Sequence, residues 1–239
     1  MKRLLAAALV AAAATARAQG ADVRKFPLDG IKEIRAQAGS GAIEVEAGPE
    51  LAVEVTENAK PDLCRITMEA NGGALVLRAE EAKMWFVAHE GCRAGFRVTA
   101  PAGLALDIKA GSGNVRLAGR AGAASVTTGS GKITGTASGP LSIKSGSGGA
   151  ELSGLASTAS VKTGSGDVSL TWGAAPKGDV AAWAGSGNVV LRFPKGTKLA
   201  SRLVAGSGSA VNSLGESADA ALRVSVVTGS GNSVIEAAP

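Results

Sequence analysis

The tripeptide Gly-Ser-Gly recurs along the chain with its serine at Ser40, Ser112, Ser130, Ser147, Ser165, Ser186, Ser207 and Ser230. Successive serines are 72, 18, 17, 18, 21, 21 and 23 residues apart. Copies two to eight therefore form an array from about residue 101 to the end, and the first stands apart near the N-terminus. Self-similarity at such a period marks a repeat architecture: a unit too small to bury an apolar face alone buries it against its neighbours.

The flanks of the tripeptide alternate apolar and polar. Before it stand pairs such as Leu106 and Ile108, Leu141 and Ile143, or Val224 and Val226; after it stand Val115 and Leu117, Val168 and Leu170, or Val189 and Leu191. A period of two is the signature of a strand with one buried face. The residue just before the tripeptide shares the inward parity and is always small: Ala110, Thr128, Ser145, Thr163, Ala184, Ala205 or Thr228. This places Ser112, Ser130, Ser147, Ser165, Ser186, Ser207 and Ser230 at corners between strands. Their glycines are expected to supply backbone angles closed to other residues. Hairpins would reverse the direction of alternate copies, yet the flanking pattern is the same in each. The reading is an all-β parallel solenoid with rungs of about 18–21 residues stacked in chain order at ~4.8 Å. In the last two copies the pattern slips, to Ala210-Val211-Asn212 and Ser233-Val234-Ile235, as terminal rungs that cap a column would do.

Three segments follow. Residues 1–18 read as a signal peptide: Lys2 and Arg3, an apolar run from Leu4 to about Ala14, then the small-x-small site Ala16-Arg17-Ala18, with the mature chain starting at Gln19. Residues 19–100 form a β-rich cap region with alternating stretches at Ile34 to Ala38, Ala42 to Glu46, Leu51 to Thr56, Arg65 to Glu69, Ala74 to Arg78 and Phe96 to Thr99. Residues 101–239 are the array. No later segment is apolar enough to span a bilayer as a helix, so a periplasmic or secreted location is expected. Cys64 and Cys92 are then expected to pair as a disulfide, worth about 3 kcal/mol in the chain-entropy model.

Composition narrows the class. Hydrophobic residues make up 45% of the chain, too many for disorder, and 3% aromatics with no tyrosine cannot build the two girdles of an outer-membrane barrel. The formal charge of +5, smaller still without the basic residues of the leader, argues against nucleic acid as a partner.

The motifs that would carry catalysis or ligand binding each lack a residue they require. Gly129-Ser-Gly-Lys-Ile-Thr resembles the end of a phosphate loop, but Val126 stands where the first glycine belongs and Ile133 replaces the hydroxyl residue after the lysine. No Gly-x-Ser-x-Gly elbow occurs, and one histidine, His89, cannot serve eight serines. Calcium β-rolls need a carboxylate where these copies carry Val115, Ile133, Ala150, Val168, Val189, Ala210 or Ser233. No metal site or cofactor is expected. Trp85, Trp172 and Trp183 are read as packing or capping residues. The outward positions do carry a pattern: Lys109, Thr127, Lys144 and Lys162 stand two places before the tripeptide, and Asp107, Ser125, Ser142 and Ser160 four places before it. The basic stripe is a candidate binding surface for an acidic polymer, although exposed lysines also serve simply to keep sheets soluble.

The stretches Ala110-Gly-Ser-Gly-Asn-Val-Arg-Leu117, Thr163-Gly-Ser-Gly-Asp-Val-Ser-Leu170 and Ala184-Gly-Ser-Gly-Asn-Val-Val-Leu191, with Val98-Thr-Ala-Pro-Ala-Gly103 leading into the array, resemble a known family. It comprises bacterial exported proteins with Gly-Ser-Gly β-strand repeats, described as adhesin-like or as a domain of unknown function. The resemblance implies an adhesin-like, non-enzymatic envelope protein that binds a polymer or another protein through a repeat surface. It supplies no catalytic residue. The alternative is a carbohydrate-active β-helix enzyme acting on an acidic polysaccharide, with its site around Glu80, Glu81, His89 and Glu90. The oligomeric state is left open.

Overall fold

The computed structural model describes residues 23–58, 61–82 and 91–239. The signal peptide, Trp85 and the pair His89-Glu90 lie outside the described residues. Before the array come β1 (Val23–Phe26), β2 (Glu33–Ala38), β3 (Ile43–Ala47), β4 (Leu51–Thr56), β5 (Cys64–Asn71), β6 (Ala74–Glu81) and β7 (Gly95–Ala100). The array supplies β8 (Ala105–Ala110), β9 (Val115–Arg120), β10 (Ala124–Thr128), β11 (Ile133–Ala137), β12 (Leu141–Ser145), β13 (Ala150–Leu155), β14 (Ala159–Ser165) and β15 (Val168–Trp172). It continues with β16 (Val180–Ser186), β17 (Val189–Phe193), β18 (Leu199–Ser207), β19 (Ala210–Asn212), β20 (Leu222–Ser230) and β21 (Ser233–Ala237). There is no α-helix among the described residues.

These strands make two mixed sheets. The first, of 11 strands, runs β1-β4-β7-β3-β9-β11-β13-β15-β17-β21-β19; the second, of 10, runs β18-β20-β16-β14-β12-β10-β8-β2-β6-β5. Each copy crosses from the second sheet to the first at its Gly-Ser-Gly, and equivalent strands of neighbouring copies pair in parallel. Val126 lies in register with Ile108 on one side and Ile143 on the other, and Val168 with Ala150 and Val189. Inward residues of both sheets meet in one apolar core that runs from Ile34 to Ile235. Among the described residues the antiparallel pairs are β1 with β4, β4 with β7 and β5 with β6, toward the N-terminal edges of the sheets.

The order of copies departs from the chain in two places. The isolated first copy is an ordinary rung: β2 pairs in parallel with β8 (Ile34 with Leu106) and β3 with β9 (Ile43 with Val115). The 72-residue gap is filled by the edge strands and by β6 and β7, which form a further rung on its other side. At the far end the seventh and eighth copies exchange places. Strands β20 and β21, of the Ser230 copy, pair with β16 and β17, and β18 and β19 add outside them. Stacking in strict chain order, the expectation from the sequence, is thereby corrected. Inward chemistry supplies the reason. The Ser230 copy offers Leu222, Val224, Val226, Thr228, Ser233 and Ile235, all buried, whereas the Ser207 copy sets Leu199, Ser201, Leu203, Ala205, Ala210 and Asn212 at the same register positions, of which Leu199 is buried and Ala210 is exposed. The copy with the smaller and less buried inward set stands at the end of the column. Within the Ser230 copy the out-of-pattern Ser233 is fully buried, its hydroxyl 3.1 Å from the Thr228 hydroxyl.

The glycines of the tripeptide supply the expected backbone angles in three copies and are required for a second reason in the others. Of its second glycines only Gly187, Gly208 and Gly231 have positive φ (+134°, +138° and +131°). At Gly113 and Gly131 the constraint is steric: a Cβ would overlap the carbonyl oxygen of Gly41 and of Gly113, one rung away. The corner stacks backbone on backbone, and no side chain fits between.

Candidate functional site

The corners are structurally well tied. All seven array serines are exposed there, and their backbone joins successive rungs, as when Ser130 N–H donates to Gly111 O (3.0 Å) and Ser147 N–H to Gly129 O (2.8 Å). From Ser165 onward the tripeptide serine is itself the end of a strand, with Ser165, Ser186, Ser230 and Ser207 in mutual register. The small inward hydroxyls brace the turn from inside: Thr128 Oγ1 accepts from Gly131 N–H (3.0 Å) and Ser145 Oγ from Gly148 N–H (2.9 Å). The position after the tripeptide adds a ladder that was not read from the sequence. Asp167 Oδ1 accepts the Asn188 N–H (2.8 Å), Asn188 Oδ1 the Asn232 N–H (3.0 Å), and Asn232 Oδ1 the Ser209 N–H (2.9 Å). The recurrence of Asp or Asn in Gly-Ser-Gly-Asp/Asn was its signal. The ladder follows the spatial order of the rungs, through Asn232 before Ser209.

The outward stripe also assembles. Lys109, Thr127, Lys144 and Lys162 occupy one register position in adjacent strands, with Thr127 between Lys109 and Lys144 and Lys144 beside Lys162. All are exposed on the outer face of the second sheet. Beside them runs a shallow groove of about 610 Å³ floored by Ser125, Ser142 and Ser160. Two residues along a strand separate the lysine and serine columns by ~6.6 Å, and adjacent rungs are ~4.8 Å apart. Glu33 and Asp107 line one end of the groove, next to Arg35: Arg35 bonds Glu33 at 2.7 Å and lies in register with Asp107.

Electrostatically the two outer faces differ. On the first sheet Arg97 is bracketed by Glu54 (2.9 Å) and Glu44 (3.2 Å), which raise its pKa further, Lys132 meets Glu151 (2.7 Å) and Arg192 meets Glu236 (2.8 Å). Lys132 in turn holds the Glu151 carboxyl below the usual range. The lysines of the second sheet make no ion pair among the described residues, so their charge is presented to solvent.

The remaining candidates separate. Cys64 and Cys92 form a disulfide with Cα atoms 4.9 Å apart. Glu80 and Glu81 line a recess of about 490 Å³ together with Ser40, Cys92 and Lys109. No group of three or more potential metal ligands occurs among the described residues. Trp172 is 1% exposed, stacked on Phe193 at 4.5 Å, with its indole N–H on Ser157 O (2.9 Å). Trp183 departs from the expected packing or capping role: it is 45% exposed and lies in register with Lys162, in the lysine column itself.

A buried cation also escaped the sequence reading. Gly119, with φ +66°, introduces a bulge that turns Arg120 inward, where it is 1% exposed. Its guanidinium donates to Ala100 O (2.9 Å), Pro101 O (2.9 Å) and Leu104 O (3.1 Å), tying the start of the array to β7, and burial lowers its pKa.

With this geometry in view, the sequence matches the family model Toastrack DUF4097 over residues 31–234. The chain belongs to the Toastrack family. The match agrees with the resemblance to a domain of unknown function and does not itself carry the Gly-Ser-Gly repeat name. Among solved structures, this Toastrack chain is similar to a protein of Clostridium sporogenes provisionally named for cell adhesion (12% identity, 92% of this chain and 99% of that one, TM-score 0.41). It is also similar to one of Bacteroides fragilis provisionally named an adhesin (14%, 92% and 98%, TM-score 0.46). A third, from Parabacteroides distasonis, is provisionally named for lipid binding (16%, 92% and 98%, TM-score 0.33). No curated protein matches the chain.

Proposed function

We propose that this protein is an exported, non-enzymatic β-solenoid that binds an acidic polymer of the cell envelope along the outer face of its second sheet. The observation that carries the reading is the straight column of Lys109, Thr127, Lys144 and Lys162 beside the serine-floored groove. A rigid sheet holds the ammonium groups one rung apart without a folding step on binding, so little ordering entropy opposes association with an extended polyanion. Each exposed charge contact contributes modestly, up to ~1 kcal/mol, so affinity arises from repetition. The disulfide fits an oxidising compartment.

The test is co-sedimentation of the mature chain with insoluble acidic and neutral polysaccharides. Retention on the acidic polymer is expected, weakening as salt rises and falling roughly tenfold in K162E/K144E. Equal retention on neutral polymer, or indifference to the double reversal, refutes the binding face. Release of reducing ends from the polymer refutes the non-enzymatic part.

A further inference from the structure

We infer that Trp183 is a sugar-stacking platform at the end of the lysine column, so that the ligand is a glycan rich in uronic acids; this rests on the reading above and narrows it to a chemical class. Three observations converge on the indole. It occupies the register position that follows Lys162, one strand on, so an extended chain lying on the lysines reaches it without bending. It is 45% exposed, while Trp172 is buried against Phe193. Gly185 lies beside it: a Cβ there would come within 3.4 Å of the indole Cη2, so the ring leans along the strand toward the corner, over a residue with no side chain. The groove ends at the same place, at Ala181 and Asp179.

The chemistry of the track changes along its length. Lys144 and Lys162 offer charge for carboxylates through charge-assisted hydrogen bonds. Trp183 offers an apolar π-face to which the C–H face of a pyranose ring can dock. Adjacent strands are ~4.8 Å apart, a spacing of the same order as the length of one pyranose ring in an extended glycan. One ring therefore sits on Trp183 while carboxylates of the following sugars meet Lys162 and Lys144. On the other side of Lys109 the column continues through Gln37 to the exposed Arg78, so the cationic track extends past Lys109.

The experiment is calorimetric titration of the mature chain with an oligouronide, a neutral oligosaccharide of the same linkage, inorganic polyphosphate and single-stranded DNA, alongside acrylamide quenching of tryptophan fluorescence. The variants are W183A, W183F and K162E/K144E, each checked for an unchanged thermal melt. Expected results are protection of one accessible tryptophan by the oligouronide, a roughly tenfold weaker Kd in W183A, near-normal binding in W183F, and a salt dependence that W183A leaves intact and the lysine reversal reduces. Wild-type affinity in W183A with lost binding in the lysine variant overturns the platform while sparing the acidic-polymer reading. Polyphosphate or DNA bound more tightly than oligouronide, with Trp183 protected, overturns the uronate assignment alone. Absence of binding to every polyanion overturns both.

Discussion

Replacing Gly131 by alanine tests why the corners are glycine. Its φ is not positive, so alanine is acceptable to its backbone; the obstacle is the carbonyl oxygen of Gly113, which the new Cβ would overlap. To relieve that overlap two rungs must part locally, which strains ladder bonds such as Ser130 N–H to Gly111 O and Val115 N–H to Lys132 O. Overpacking costs ~1–3 kcal/mol and a weakened backbone bond ~1 kcal/mol. The lower chain entropy of alanine in the unfolded state returns about 0.4–1 kcal/mol. The net loss is about 1–4 kcal/mol, or roughly 2–16 °C in Tm for a chain of this size. Gly154 is the control. Its φ is +69° and nothing lies within 4 Å of its virtual Cβ, so alanine there meets only the left-handed backbone penalty of ~1–2 kcal/mol, partly offset by the same entropy gain. Urea denaturation of both variants, followed by tryptophan fluorescence, ranks the two effects. A G131A protein as stable as the parent, or less affected than G154A, would refute close approach as the cause.

Substituting Arg120 by methionine leaves the carbonyls of Ala100, Pro101 and Leu104 without their donor and should cost ~2–4 kcal/mol by chemical denaturation; a neutral or stabilising result would show that the cation is dispensable. The Glu216 carboxylate accepts from the Ser201 hydroxyl first, then from the Ser201 N–H and from Asn212 Nδ2, which together hold its pKa below the usual carboxylate range. A depressed native pKa means that its stabilisation of the end rung is present above the unfolded carboxylate pKa and is lost as pH falls through the native one. Protection of β18 amides relative to their intrinsic exchange rate should fall on that acid side, and E216Q should flatten the dependence; the same acid profile in E216Q would exclude Glu216 as its source. Reduction of Cys64–Cys92, which closes a separation of 28 residues, should lower stability by about 3–4 kcal/mol, read as a shift of the urea midpoint with reductant; no shift would show that the loop is held by other contacts.

The strands and corners of the array were legible because they depend on neighbours in the chain. Alternation such as Leu106, Ile108 and Ala110 separates two faces wherever the strand later pairs. The column of Lys109, Thr127, Lys144 and Lys162 follows from the same alternation once copies are aligned by their tripeptides. Trp183 belonged to that column by the same count, but whether an aromatic at an outward position folds against its sheet or stays open depends on surroundings that no local pattern carries. Arg120 was hidden for a related reason: the bulge at Gly119 breaks the alternation just where the side chain turns inward.

What the sequence determined by itself is the rung: two short strands, a corner with no room for side chains, and the faces to which each residue points. What only the tertiary structure decided is the order of rungs and the partner of each glycine. Copies of one repeat present nearly interchangeable backbone edges, so pairing strength alone does not choose among stacking orders. The choice falls to long-range differences, such as Ser201 and Asn212 in the Ser207 copy standing where the Ser230 copy has the buried Val224 and Ile235, which gain more from neighbours on both sides.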